Sequence, residues 1–325
     1  MNPQLILAPL QGFTDVVFRN VYASHFSGLN EAVAPFISTM GQNRLKPSRL
    51  RDILPENNVT LFTTPQILGN NGEDFIFLAN RMARMGHASV NWNLGCPHSK
   101  IAKKKRGSGL LPFPDEIDRF LDRVVGKIEC TLSVKVRLGR KDKSEIFELL
   151  PVFNRYPLKE IVVHPRTGIQ MYQGRADEKA FKEIRMRTGH TLVFNGDITG
   201  RKQIEKIQTD VPETNRFMIG RGVLANPFLP GMIKGVPLET GTCSQRIRAF
   251  HDDLYTAYDR IFSGPSHVTG RMKGFWSFLG PSFQNSTKAL KRILKTRDKH
   301  HYKEEARYFF DLDLPFSPPC LDSQT

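Results

Sequence analysis

The sequence predicts an α/β protein, a closed (β/α)8 TIM barrel followed by a C-terminal all-helical region. Eight short apolar or β-branched runs recur along the chain, with starts 25 to 43 residues apart. Most gaps between them carry a segment of helical period. No strand-like run follows residue 242. Eight strand–helix units in about 230 residues fit a closed barrel, and an open, doubly wound parallel sheet is the alternative.

The order of these runs gives the expected domain organisation. The predicted strands are residues 5–10, 31–37, 61–68, 88–94, 131–138, 160–164, 191–195 and 216–220. The predicted barrel helices are residues 15–24, 72–85, 115–127, 143–154, 177–187 and 200–207. The predicted tail helices are residues 244–262, 266–279, 286–299 and 303–310, after a linker over 231–242. We therefore expect a barrel domain over 1–235, a helical domain over 242–312 and a frayed tail over 313–325.

Composition limits the class of protein and of partner. Hydrophobic residues make up 39% of the 325 residues, which excludes wholesale disorder. Lysine and arginine outnumber acidic residues by 47 to 32, and the resulting charge of +15 attracts polyanions, either nucleic acid or an acidic membrane. The four cysteines form no Cys-x-x-Cys pair, so we expect no metal site, no disulfide framework and a reducing, cytoplasmic location. Neither a signal sequence nor a run of about eighteen apolar residues is present, so we expect a soluble, unprocessed chain with no membrane-spanning segment.

The fourth predicted strand ends in a turn that carries a cysteine. In a barrel of this kind, the loops that follow the strands surround one mouth, where the chemistry takes place. Cys96 lies in such a turn, after Asn93, Leu94 and Gly95. A thiol near its ordinary pKa keeps its proton at neutral pH and can donate it. Cys96 is thus a candidate general acid, and a buried cysteine that fills space is the alternative.

Basic residues follow the next two strands. Alternation along strand 131–138 points Lys135 and Arg137 to the same side. The following strand ends in His164, with Arg166 two residues later. Each of these residues taken alone has another interpretation, either as a solvated surface charge or as a structural histidine. Together they predict a positive, hydrogen-bonding rim suited to a planar, electron-accepting heterocycle whose reduced form is anionic.

The last two strands end in glycine-containing turns. Asn195, Gly196 and Asp197 follow the seventh strand, and Gly220 with Arg221 follows the eighth. Loops at these two positions of a barrel often bind phosphate through exposed backbone amides. A simple turn is the alternative interpretation of each glycine. Their occurrence on both strands favours a cofactor that carries phosphate.

Two basic segments are candidates for contact with a polyanion. Five cations occupy the seven positions from Lys100 to Arg106, beside the candidate cysteine. On one predicted tail helix, Lys288, Arg292 and Lys295 share a face. A solvated surface is the common explanation for such runs. No groove-reading motif is present, so we expect contacts to phosphates and recognition by shape.

Seven ordered segments of the chain resemble the tRNA-dihydrouridine synthase (Dus) family of flavin enzymes. They begin at Leu7 (LAPLQGFTD), Gln66 (QILG), Asn93 (NLGCP), Ser133 (SVKVRLG), His164 (HPRT), Asn195 (NGDI) and Met218 (MIGRG). The segment from His267 to Phe278 is similar to the helical domain of the C-type branch. Asn91, by contrast, stands where many relatives carry an acidic residue.

The resemblance implies a role for each matching residue. Cys96 would be the general acid. The FMN site would be formed by Pro9, Gln66, Lys135, His164, Asn195, Gly196, Asp197, Gly220 and Arg221. The RNA would be held by Asn93 and Tyr172 at the uracil, and by Lys100, Arg106, Arg137, Arg166, Arg271 and Lys273.

The implied activity is reduction of a uridine in tRNA to 5,6-dihydrouridine, with NADPH as the reductant. A D-loop uridine is expected, with position 16 as the first candidate. Reaching the base requires a flipped-out nucleotide. An FMN-barrel oxidoreductase of a small molecule, a synthase acting on ribosomal RNA, and a non-catalytic RNA-binding barrel are the alternatives. We expect a monomer with tRNA as partner and no protein partner.

Overall fold

The structure is a computed structural model that describes residues 2–42 and 47–318. Most of the expected frayed tail, residues 319–325, lies outside the described residues. The strands are β1 Gln4–Leu7, β2 Glu31–Val33, β3 Ile37–Ser38, β4 Phe62–Thr64, β5 Gln66–Leu68, β6 Ser89–Leu94, β7 Thr131–Gly139, β8 Ile161–Thr167, β9 Leu192–Phe194 and β10 Arg216–Ile219.

All strand pairs are parallel, and together they close a barrel. The sheet order is β3-β5-β6-β7-β8-β9-β10-β1-β2-β4. β2 and β3 are two parts of one strand position, as are β4 and β5, because prolines without a backbone N–H interrupt both at Pro35 and Pro65. β2 pairs with β4 and β3 pairs with β5, so the two ends of the sheet meet. The chain is therefore a closed (β/α)8 TIM barrel and not an open sheet.

Helices cover the barrel and form the C-terminal region. They are α1 Val16–His25, α2 Gly72–Arg84, α3 Ser99–Ala102, α4 Pro114–Val124, α5 Glu145–Phe153, α6 Glu178–Arg187, α7 Arg201–Asp210, α8 Arg221–Ala225, α9 Leu229–Ile233, α10 Cys243–Asp259, α11 Pro265–Leu279, α12 Thr287–Lys295 and α13 Lys299–Asp311. Side-chain oxygens cap several N-termini. Asp15, for example, accepts a hydrogen bond from Phe18 N at 3.1 Å.

Three sequence predictions need correction. The predicted linker 231–242 begins inside α9, whose last residues contribute to the core. The single predicted helix 286–299 is two helices, because the chain turns after Lys295 and Asp298 caps the new helix by accepting from His301 N at 2.9 Å. The last helix is accordingly longer than the predicted 303–310 and begins at Lys299.

The hydrophobic core is continuous between the barrel and the C-terminal helices. Phe13, in the loop after β1, makes edge-to-face contacts with Phe275 and Phe278 of α11 at 5.5 and 5.3 Å between ring centroids. Tyr258 of α10 donates a hydrogen bond to Asp15 Oδ1 at 2.8 Å. The helical region is therefore packed beside the mouth of the barrel.

The barrel lumen has an apolar part and a polar part. Ile6, Val33, Val162, Val193 and Met218 form a small buried cluster separate from the main core. The lumen side of β5, β6 and β7 instead carries amide, hydroxyl and basic side chains. The functional groups of the mouth stand above this polar part.

Candidate active site

A cavity of about 740 Å³ opens at the mouth of the barrel. Its walls come from the ends of β1, β6, β7, β8, β9 and β10, and Phe278 of α11 completes them. Thirteen of the residues predicted from the sequence line it, namely Pro9, Asn93, Cys96, Lys135, Arg137, His164, Arg166, Tyr172, Asn195, Gly196, Asp197, Gly220 and Arg221. The structure thus brings together residues from six strand ends spread over more than 200 positions.

Hydrogen bonds to the backbone N and O of Cys96 hold this residue in the cavity wall. Asn93 Oδ1 accepts a hydrogen bond from Cys96 N at 2.9 Å, and Ser108 donates to Cys96 O at 3.0 Å from both its N and its Oγ. The residue is 8% exposed. Burial raises the pKa of the Cys96 thiol above its ordinary value, although a backbone amide and nearby cations partly oppose the shift. The thiol therefore carries its proton at neutral pH, as a general acid requires.

Lys135 and Arg137 both point into the cavity, as alternation predicted. Burial, together with repulsion from Arg137, lowers the pKa of Lys135 to about 7. Within the described residues, no acceptor is hydrogen-bonded to Lys135 Nζ. Arg137 is better fixed, because it donates to Gly95 O at 3.0 Å and to Thr167 O at 2.8 Å. The Lys135 amine is thus a hydrogen-bond donor available to an anionic or electron-rich ligand.

His164 is an uncharged imidazole in this environment. Burial and four neighbouring cations lower its pKa well below the ordinary value. Arg166 Nη1 lies 3.1 Å from His164 Nε2. Since a guanidinium only donates hydrogen bonds, Nε2 must be the acceptor and Nδ1 carries the proton.

Asp197 links two arginines at the edge of the cavity. Its Oδ2 accepts from Arg166 Nη2 at 2.5 Å and from Ala176 N at 2.8 Å, and its Oδ1 lies 3.3 Å from Arg221 Nη2. Arg166 is 1% exposed and also donates to the carbonyl of Gly174. Arg166 therefore fixes the loop after β8 from its buried side.

That loop presents Tyr172 to the cavity. The Arg221 guanidinium lies 4.5 Å from the Tyr172 ring centroid, and the Arg137 guanidinium lies 5.5 Å from it. Tyr172 is 43% exposed. A ring held by cations but open to solvent is suited to contact a second planar group.

The glycines after β9 and β10 allow close packing of backbone at the cavity wall. A Cβ added to Gly196 would lie 2.8 Å from Ala176 Cβ, and one added to Gly222 would lie 2.4 Å from Ile198 O. Asn195 Nδ2 donates to Met218 O at 2.8 Å and so ties the two strand ends together. Gly196, Gly220 and Gly222 all line the cavity.

Five of the predicted residues lie outside the cavity wall. Gln66 is fully buried behind Asn93. Lys100 is exposed on α3, and Arg106 donates to Asn70 Oδ1 at 3.1 Å. Arg271 donates to Gly12 O, and Lys273 Nζ donates to Thr296 O at 2.7 Å. Arg106, Arg271 and Lys273 therefore have intramolecular partners, and their contact with RNA stays a prediction.

Sequence reasoning missed residues that support Cys96. Arg140 Nη1 donates to Pro97 O at 2.8 Å and to Ser108 Oγ at 3.2 Å, and so fixes the two segments around the thiol. Gly107 has φ of +56°, and a Cβ there would lie 2.8 Å from Cys96 Cβ. The Gly-Ser-Gly triplet was the available signal for this support. Arg140 carried none, because its partners are distant in sequence.

Among the described residues, no helix combines the length and the apolar character needed to cross a membrane.

The barrel and the basic, thiol-bearing cavity at its mouth define an enzyme of the TIM-barrel class. A family profile described as "Dihydrouridine synthase (Dus)" matches residues 6–300, and the chain belongs to this family. It is 30% identical over 229 residues to a probable tRNA-dihydrouridine synthase of Rhodobacter capsulatus, covering 70% of each chain. It is 28% identical over 238 residues to a tRNA-dihydrouridine(16) synthase of Neisseria meningitidis, covering 71% of each chain.

Two solved structures share the fold at low sequence identity. Histamine dehydrogenase from Rhizobium sp. 4-9 superposes with a TM-score of 0.54 at 12% identity, over 78% of this chain and 49% of that chain. Morphinone reductase superposes with a TM-score of 0.50 at 12% identity, over 73% of this chain and 91% of that chain. These likenesses concern the fold alone.

Proposed function

We propose that the chain binds FMN in the cavity and reduces a uridine of tRNA to 5,6-dihydrouridine, with NADPH as the reductant. The observation that carries the proposal is the meeting of a protonated thiol, Cys96, with a basic and glycine-containing wall in one cavity. Membership of the dihydrouridine synthase family supports the reaction. The names of the relatives support tRNA as the substrate.

The residues of the cavity fit FMN. Its volume of about 740 Å³ lies within the usual range for cofactor sites. Lys135 has no intramolecular hydrogen-bond partner among the described residues, and it would face the electron-rich ring together with His164. Gly196, Gly220 and Arg221 would hold the phosphate. When bound, the flavin supplies hydride to the C6 atom of the uracil.

Cys96 would give a proton to C5 of the uracil, and its raised pKa keeps that proton in place at neutral pH. Asn93 and Tyr172 would position the base. Asn93 uses both ends of its amide for internal hydrogen bonds, so its second N–H is the group left for the uracil. Tyr172, open to solvent between two cations, would stack on or border the base.

The helical region would hold the RNA backbone while the base enters the mouth. We assign the barrel domain to residues 1–235 and the RNA-binding domain to 242–312. One relative is named for position 16, which favours that uridine of the D-loop. The branch within the family stays a prediction, as do the monomeric state, the absence of a protein partner and the cytoplasmic location that a tRNA substrate implies.

The decisive experiment compares wild-type protein with Cys96→Ala. The variant should keep the absorption spectrum of bound flavin and lose about two to four orders of magnitude in dihydrouridine formation, as for loss of a general acid. Cys130→Ala serves as the control, because Cys130 lies outside the cavity. Nucleotide-by-nucleotide mass spectrometry of tRNA from a strain lacking the protein identifies the uridine. Full turnover by Cys96→Ala would refute the assigned acid.

A further inference from the structure

Buried polar groups form one hydrogen-bonded chain from the barrel lumen to the backbone of Cys96. The chain of groups runs through Ser133, Asn91, Gln66, Asn93 and the backbone N–H of Cys96. The four side chains are between 0% and 7% exposed. Asn91 and Ser133 are neighbours in the β6–β7 register, as are Asn93 and Lys135 one step nearer the mouth.

The inner links join β5, β6 and β7. Asn91 Nδ2 donates to Ser133 Oγ at 2.9 Å, and Gln66 Nε2 donates to Asn91 Oδ1 at 2.8 Å. The hydroxyl of Ser133 in turn lies 3.3 Å from Val90 O, to which it donates. The outer hydrogen bonds have the same direction, with each donor on the side nearer the mouth. Asn93 Nδ2 donates to Gln66 Oε1 at 2.7 Å, and Asn93 Oδ1 accepts from Cys96 N at 2.9 Å.

The two ends of the chain fix the orientation of every amide within it. Cys96 N–H can only donate, so Asn93 must present its oxygen there and its nitrogen to Gln66. Gln66 must then present oxygen to Asn93 and nitrogen to Asn91. At the other end, the carbonyl of Val90 can only accept. Reversing any one amide would place two donors or two acceptors against each other in a buried site.

We propose that Asn91 and Ser133, neither of which lines the cavity, are positioning residues for Cys96. They hold the amide of Gln66 in the one orientation that lets Asn93 close the turn around the thiol. Gln66 acts in the same chain, behind the cavity wall. The relevance of this positioning to catalysis rests on the proposed function of Cys96, but the positioning itself does not.

The test measures alkylation of Cys96 by iodoacetamide in the protein as isolated, at several pH values, with each cysteine peptide quantified by mass spectrometry. Ser133→Ala and Asn91→Leu interrupt the chain. Ser133→Thr keeps the hydroxyl. Ser89→Ala is the matched control, because Ser89 is a buried hydroxyl of β6 at the opposite end of the barrel, 3.4 Å from Lys159 Nζ.

We expect Cys96 to react about fivefold faster in Ser133→Ala, since one typical hydrogen bond changes an opening equilibrium by about that factor. Asn91→Leu should have the same or a larger effect. The pH midpoint of the reaction should fall, because a more exposed thiol loses part of its raised pKa. Ser133→Thr and Ser89→Ala should match wild type, and the rates of Cys130 and Cys243 should not change.

Equal Cys96 rates in Ser133→Ala and Ser89→Ala would overturn the proposal. So would an equal acceleration of Cys96, Cys130 and Cys243, which would indicate general loosening of the fold. Dihydrouridine formation by the same variants separates the two proposals. If Cys96 alkylation responds while dihydrouridine formation does not, the positioning role stands and the acid role of Cys96 fails.

Discussion

Tyr258 Oη donates a hydrogen bond of 2.8 Å to Asp15 Oδ1 and so joins the helical region to the loop after the first strand. Asp15 shares its loop with Phe13, and Tyr258 belongs to the helical region that carries Phe278. Phe13 and Phe278 both line the cavity. Burial and the neighbouring carboxylate raise the pKa of Tyr258 well above its ordinary value, so the phenol is always a donor. The shape of the cavity at the mouth of the barrel therefore depends on how the helical region packs against the loop after β1.

Tyr258→Phe should lower the free energy of unfolding by about 2 kcal/mol, because a buried hydrogen bond to a carboxylate is lost. Tyr255→Phe is the matched control. Its hydroxyl is buried and has no hydrogen-bond partner among the described residues, so its removal should be neutral or stabilising. Urea unfolding at neutral pH measures both. A smaller loss in Tyr258→Phe than in Tyr255→Phe would contradict the assigned role of this contact.

Asp197→Asn should destabilise the protein by about 2–3 kcal/mol, because it leaves the buried Arg166 without its anion. The backbone is unaffected, since Asp197 has φ of +47° and asparagine tolerates that region equally well. Asp177→Asn is the control, as it keeps a helix cap and loses only an exposed ion pair with Lys143. Denaturant unfolding should show that the control loses less than about 1 kcal/mol of its free energy of unfolding.

The titration of Lys135 should make the free energy of unfolding increase with pH. Its pKa in the folded protein is about 7, below its ordinary 10.5, so the unfolded chain binds more protons between these values. Its contribution to stability therefore rises with pH from about 7 to 10.5. Lys135→Met removes this rise and should stabilise flavin-free protein most at pH 7 and below.

Urea unfolding of flavin-free wild type and Lys135→Met at pH 7 and pH 9 checks this prediction. The stability gain of the variant should shrink at the higher pH. Lys182→Met, at an exposed position of α6, should give no pH-dependent difference. An increase in the gain with pH would show that Lys135 is stabilised as a cation in the folded protein.

The exposed lysines of α12 should contribute to RNA binding through phosphate contacts. Lys288, Lys291 and Lys295 are exposed, whereas Arg292 already pairs with Glu305 at 2.6 Å. Replacing the three lysines by alanine should weaken tRNA binding and reduce the slope of log K against log salt by about 2. The slope is measured by titration between low and physiological salt.

A charge-matched control replaces Lys127, Lys182 and Lys202, three exposed lysines of the barrel. It lowers the net charge equally but should leave the slope within about half a unit of wild type. Equal losses in the two triple variants would mean that the overall field, and not a surface of α12, governs the association.

Part of the basic run after Cys96 has a structural role that its sequence could not reveal. Lys105 pairs with Glu116 at 2.5 Å, and Arg106 is hydrogen-bonded to Asn70. The run also begins in a short helix, α3. Lys100, Lys103 and Lys104 are exposed and, among the described residues, have no side-chain ion pair. A count of charges predicts a field, but it does not identify which charges are already paired.

The sequence alone predicted parallel strands covered by helices, with a closed barrel favoured over an open sheet, and the side of the strands that carries chemistry. Apolar runs separated by helical segments predict parallel strands, and parallel strands place their ends at one mouth. Alternation along β7 then puts Lys135 and Arg137 on one side. These inferences succeed because they depend on neighbours a few residues apart, whose relative direction is set by the strand itself.

Only the tertiary structure decided the partner of each polar group. Arg271, expected to meet RNA, donates to Gly12 O across 259 positions of sequence, and Gln66, expected at the flavin, lies behind Asn93. Side-chain type and spacing specify what a group can donate or accept. Which acceptor lies within about 3 Å depends on how distant elements pack, and no local pattern encodes that distance.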